Sequence, residues 1–173
     1  MKRLGLALVV AGLLGMLVAP AALATTTRFQ ISGTNTYTTE ANGTGWQTAN
    51  IFHDRGDTNT ATVTGSFSGT SAGSFSGTSA AVINFQLNVV TGAGPMWGTA
   101  VIVLDDGGFN CTWNGAFAPG TYGSQYTFKE LCHGYGTLTG WQARMDTTSF
   151  DPSLPLAPLG GFTFSGYAFM PGS

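Results

Sequence analysis

The chain has 173 residues, with six Lys and Arg against eight Asp and Glu and a formal net charge of −2. Only 8% of its residues are charged, so it lacks the basic footprint that displaces counterions from phosphate, and nucleic acid and anionic lipid surfaces are excluded as partners. Glycine (26 residues), phenylalanine (12) and many Thr and Ser favour strands and turns over helices, which sets the expectation of an all-β domain.

Residues 1–24 read as a secretory signal peptide. Lys2 and Arg3 form a positive start, Leu4–Val18 an apolar run, and Pro20 precedes the small-x-small site Ala22-Leu23-Ala24. Cleavage after Ala24 leaves residues 25–173, enough for one domain with its own core, carrying four Lys and Arg against eight acids. The expected location is secreted or periplasmic, with no membrane span after cleavage. Two cysteines in an exported chain, Cys111 and Cys132, predict a disulfide. With no second pair nearby they make a poor metal site, so no metal is expected.

Strand-like runs broken by turn signals then follow in order, with no sustained helical period. Phe29–Tyr37 is a weak first strand and Thr44–His53 a stronger one, closed by a turn at DRGD, residues 54–57. Ala81–Val90 alternates, with Ile83, Phe85, Leu87 and Val89 on one face, until GAGP at 92–95 breaks it. Met96–Leu104 is apolar on both faces, as a well-covered strand would be. DDGG at 105–108 is a hairpin signal. Phe109–Phe117, Ser124–Leu131, Gly136–Met145 and Gly161–Met170 complete the set, with one long Pro-rich connection over roughly 147–161. Eight to ten short strands predict a single antiparallel β-barrel of about eight strands, with a β-sandwich as the alternative.

Within this series, residues 65–80 read GSFSGTSAGSFSGTSA, two identical units of eight. Phe67 and Phe75 make it too apolar for a linker, and two short units are too few for a solenoid. An even repeat preserves the in/out phase of a strand. Two arrangements fit: a hairpin pairing Phe67 with Phe75 around Thr70-Ser71-Ala72, with Gly73 as a bulge, or one long strand.

The most informative pair is Phe109–Phe117 with Tyr126–Cys132, joined by APGTYGS. Setting Cys111 opposite Cys132 places Trp113 opposite Glu130, Gly115 opposite Phe128 and Phe117 opposite Tyr126. One face then carries Phe109, Cys111, Trp113, Phe117, Tyr126 and Phe128 and must point inward, bringing Glu130 in with it. A carboxylate against an indole away from water has its pKa raised, so Glu130 is the candidate acid or base. The bland reading puts it at a wet barrel mouth with no special role. His133, in the turn CHGYG, is a candidate partner. Trp113, Tyr126, Phe128, His133 and Trp141 are the candidate ligand-binding residues. HDRGD (His53, Asp54, Arg55, Asp57) reads as a solvated turn. Asp105 and Asp106 fall short of a calcium loop. No nucleophile elbow, HExxH or phosphate loop is present, and no cofactor is expected.

GSFSGT (65–70), MWGTAVIVLDDGGFNCTWNGAF (96–117) and HGYGTLTGWQARMDTT (133–148) together resemble bacterial secreted proteins of the allene oxide cyclase-like barrel group, itself similar to plant dirigent proteins. The likeness lies in glycine and tryptophan placement over about residues 60–146. It implies an eight-stranded antiparallel barrel with an apolar central cavity. Some plant members of that group cyclise an unsaturated fatty-acid epoxide, and dirigent proteins orient radical coupling. No site motif of either matches this chain residue by residue. The expected function is binding of a small apolar or aromatic molecule without catalysis. The alternatives are a cyclase or isomerase in which Glu130 steers charge, and a structural or partner-binding envelope protein. A homo-oligomer is compatible with all three.

Overall fold

The computed structural model describes residues 27–120, 123–150 and 160–171. Residues 1–26 (which include the stretch read as a signal peptide), the tip of the 118–124 loop and most of the Pro-rich connection lie outside these residues. The described residues form nine strands and no helix: β1 (Arg28–Ala41), β2 (Thr44–Thr48), β3 (Ile51–Ser68), β4 (Ala72–Asn88), β5 (Gly94–Leu104), β6 (Gly107–Gly120), β7 (Gly123–Gly136), β8 (Gln142–Phe150) and β9 (Gly161–Phe169).

All neighbours are antiparallel. The order β1-β9-β8-β7-β6-β5-β4-β3, with β1 pairing back onto β3, closes an eight-stranded ring. This is the barrel, not the sandwich. β2 lies outside the ring: it continues the line of β1 and pairs only with β3. Closure gives every ring strand two partners, so its backbone is paired on both sides over the length the two ladders share.

Several boundaries differ from the sequence reading. Thr44–His53 is a hairpin, not one strand, because the chain reverses at Ala49-Asn50 with Ala49 at φ 51°. The usual glycine is missing from that turn, so the sequence does not announce it. DRGD is not a turn but the middle of β3. Gly56, at φ 81°, forms a bulge there, and β3 passes from pairing with β2 to pairing with β1 at this point. The runs either side of residue 80 are one strand, β4, which ends before Val89; that residue is exposed in the following turn.

The eight-residue repeat is the β3–β4 hairpin, in a register two residues from the one expected. Its loop is Gly69-Thr70-Ser71, with Ser68 opposite Ala72. Phe67 therefore faces Gly73, and Phe75 faces Gly65. Each ring lies over the glycine across from it: a Cβ added at Gly65 would sit 2.5 Å from Phe75, and one at Gly73 would sit 2.7 Å from Phe67. A ring laid on a bare backbone buries more surface than two rings crowding one pleat, which selects this pairing over Phe67 with Phe75.

The DDGG turn forms as expected, whereas two other expected turns are mostly strand. Leu104 pairs with Gly107 across Asp105-Asp106. The β6–β7 ladder runs on past the expected ends, through Pro119 opposite Ser124, so APGTYGS is largely strand. β7 also continues through CHGYG to Gly136 before the chain turns. β5 is less covered than its composition suggests: Val101 and Val103 point outward and are exposed, since only its even positions face the core.

The core is the barrel interior, packed at two levels. One group of buried side chains holds Val63, the Cys111–Cys132 disulfide, Ala143, Met145 and Phe164. The other holds Met96, Trp113, Phe128 and Phe162.

Candidate functional site

The disulfide sets the frame. Cys111 and Cys132 are directly opposed on β6 and β7, and both are buried. The register expected from them is the one formed: Trp113 opposite Glu130, Gly115 opposite Phe128, Phe117 opposite Tyr126. Alternation then turns Trp113, Phe117, Tyr126, Phe128 and Glu130 into the barrel and leaves Asn114, Thr127 and Lys129 outside. Gly98, opposite Trp113 on β5, makes room for the indole, since a Cβ there would lie 2.4 Å from the ring.

These side chains line a cavity of about 310 Å³. Its walls are rings packed edge to face: Phe128 on Phe162 at 4.6 Å, Phe117 on Tyr126 at 4.8 Å and Tyr37 on Phe162 at 5.2 Å between centroids. Its rim carries Glu40, Asn42, Asp57 and Thr58. Glu40 reaches this rim because of a register shift between Tyr37 and Thr39, which places Glu40 opposite Asn59, a buried residue of β3.

Glu130 lines the cavity and is half-buried. Its Oε1 accepts a 2.9 Å hydrogen bond from Thr147 Oγ1 on β8. Burial pushes its carboxyl up to about 7, and the Thr147 bond opposes this. Burial likewise raises Glu40, with the Asp57 charge adding. Tyr37 and Tyr126 are both raised by burial first and by the Glu40 charge second. A carboxyl that titrates near neutrality can give or take a proton, and one beside aromatic faces can hold a cation.

The other expected site residues lie elsewhere. Trp141 is at the opposite end of the barrel, 5.5 Å from Phe29, in a second cavity of about 260 Å³ with wholly apolar walls. Val63, Ile102, Met145 and Phe164 border both cavities and form the partition between them. His133 is exposed on the outer face of β7, opposite Asn110 and Gln142, and lines neither cavity. Three residues beyond Glu130 on a continuous strand, it falls on the other face, so the expected partnership between them does not form. His53 and Arg55 also point outward, where His53 stacks on Trp46 at 5.0 Å and Arg55 sits over the same indole. Asp54 and Asp57 turn inward.

Tyr37, Glu40 and Thr147 are cavity residues that the sequence reading passed over, and Asp57, which it placed in a solvated turn, lines the cavity as well. Thr147 shares strand parity with Met145, which offered a signal. Glu40 offered none, because an unannounced bulge decides its face. Among the described residues, three metal-ligand atoms come within 4.8 Å of one another only at Cys111, Glu130 and Cys132, and both sulfurs are spent in the disulfide. No family model, no curated protein and no solved structure matches the chain.

Proposed function

We propose that this is an exported barrel that binds a small apolar or aromatic molecule in the Trp113–Phe128 cavity, without transforming it. The observation that carries the reading is the cavity itself: about 310 Å³, walled by aromatic rings, with a few polar groups at its rim and floor. That combination of size, apolar wall and sparse polar groups is what small-molecule sites have in common. It also accords with the likeness to allene oxide cyclase-like barrels. The test is native mass spectrometry of the exported protein. The expected result is a co-purifying small molecule, lost when Trp113→Ala or Phe128→Ala enlarges and roughens the pocket. A bare chain that also fails to take up any aromatic probe would sink the reading in favour of a structural or partner-binding envelope protein.

A second reading, a cyclase or isomerase, has one specific support: a Glu130 carboxyl that burial raises to about 7 lines this cavity. An enzyme of this kind would act mainly by holding its substrate in a reactive shape, with Glu130 steering developing charge. Glu130→Gln separates the two readings. Turnover lost while the ligand still binds supports catalysis; no turnover in the native protein leaves the binder.

A further inference from the structure

We infer that the occupant of the aromatic cavity carries an organic cation, an apolar amine or quaternary ammonium, and that the cavity rejects carboxylate ligands. The inference rests on the reading of this cavity as a binding site. Three carboxylates, Glu40, Asp57 and Glu130, line it, and no Lys, Arg or His does so among the described residues. Glu130 accepts from Thr147 but meets no cation, since the one ion pair among the described residues, Lys129 with Asp146, lies exposed on the outer face.

A fourth acid adds an independent sign. Asp54 is only 8% exposed, and its Oδ1 is buried with no hydrogen-bond partner. It lies on the inward side of β3, opposite Phe85 of the cavity wall; its carboxyl hydrogen-bonds that of Asp57 at the rim and the Arg55 backbone, which leaves Oδ1 as its unpartnered oxygen. Buried carboxylates without a counter-charge cost free energy, and a bound cation recovers it. The rings complete the fit, because an ammonium group gains from aromatic faces as well as from carboxylates.

A compact metal ion fits less well. Glu40, Asp54 and Asp57 do not bring oxygens from all three within 4.8 Å of one another, although Asp54 and Asp57 touch, so they do not gather as the oxygen shell of calcium or magnesium would. A cation whose charge is spread over an ammonium head and whose body is apolar matches acids at the rim, an acid at the floor and rings between.

Calorimetry on the exported protein at pH 8 tests this with three probes of one skeleton: 4-phenylbutylamine, 4-phenylbutanol and 4-phenylbutyrate. The amine is expected to bind about tenfold or more tightly than the alcohol, and the carboxylate most weakly. Glu40→Gln, a change at the exposed rim with little risk to folding, and Glu130→Gln should each reduce the ratio of amine to alcohol affinity. Equal binding of amine and alcohol, or a preference for the carboxylate, overturns the inference while the cavity reading stands. A full amine advantage in both variants also overturns it. Calcium chloride alone raising Tm as much as the amine would replace it with a metal site. Binding of none of the three probes removes the inference together with the proposed function.

Discussion

Glu130 is the residue whose burial has the most measurable consequence. Its carboxyl is held above the ordinary value of 4.5, at about 7, so the folded protein keeps this proton after the unfolded chain would lose it. Its contribution to stability is therefore complete below about pH 4.5 and is lost as pH rises through about 7. Glu40 is shifted in the same direction and adds to the trend. Tm should fall between pH 5 and pH 8, and Glu130→Gln should flatten that fall by no more than about 3 kcal/mol in unfolding free energy. Scanning calorimetry at the two pH values reads this directly. An unchanged slope in the variant would mean that Glu130 is ionised in the fold at no cost. The inward position of Glu130 was legible because a disulfide fixes register and strand parity does the rest. Glu40 was not legible, since one bulged residue reverses parity and nothing in TYTTEA marks it.

At the level of the element, the β3–β4 hairpin shows how an identical repeat gives unequal positions. Gly65 and Gly73 occupy the same place in the two units, yet their surroundings differ. A Cβ at Gly65 would meet the backbone oxygen of Ser32 at 2.6 Å as well as the Phe75 ring. A Cβ at Gly73 would meet only the far end of Phe67, which can swing away. Gly65→Ala should thus cost about 1–3 kcal/mol, and Gly73→Ala less than about 1 kcal/mol. Urea melts of the two variants check this, and equal losses would contradict the pairing of each ring with the glycine opposite. The existence of this hairpin was legible from two phenylalanines in phase. Its register was not, because Gly- and Ser-rich strands offer few side chains to discriminate a two-residue slip. DRGD misled for a related reason: turn and bulge use the same residues, and only pairing on both sides distinguishes them.

For the whole molecule, closure was legible from the number and spacing of strands, but the division of the interior was not. A partition of Val63, Ile102, Met145 and Phe164 comes from strands far apart in sequence, and only the closed ring brings them together. The result is two compartments of different chemistry, one rimmed with acids and one wholly apolar. Ala100, half-buried on the wall of the first, allows them to be tested apart. Ala100→Leu should occupy part of the 310 Å³ cavity, weaken binding there by about tenfold or more, and leave Tm within a few degrees. Thermal melts and probe titration together check this; undiminished binding would place the ligand in the other compartment.

The strand outside the ring has a bearing on assembly. Every ring strand has a neighbour on each side, whereas β2 has β3 alone. Among the described residues, backbone donors and acceptors are left for another chain at the overhangs Thr38–Ala41 of β1 and Ala72–Ser76 of β4, past the ends of the β9 and β5 ladders, and along the outer edge of β2. That edge is five residues long and fully exposed. Each of these edges is short, so each offers an incoming chain few hydrogen bonds, and short edges are a common means of limiting strand addition.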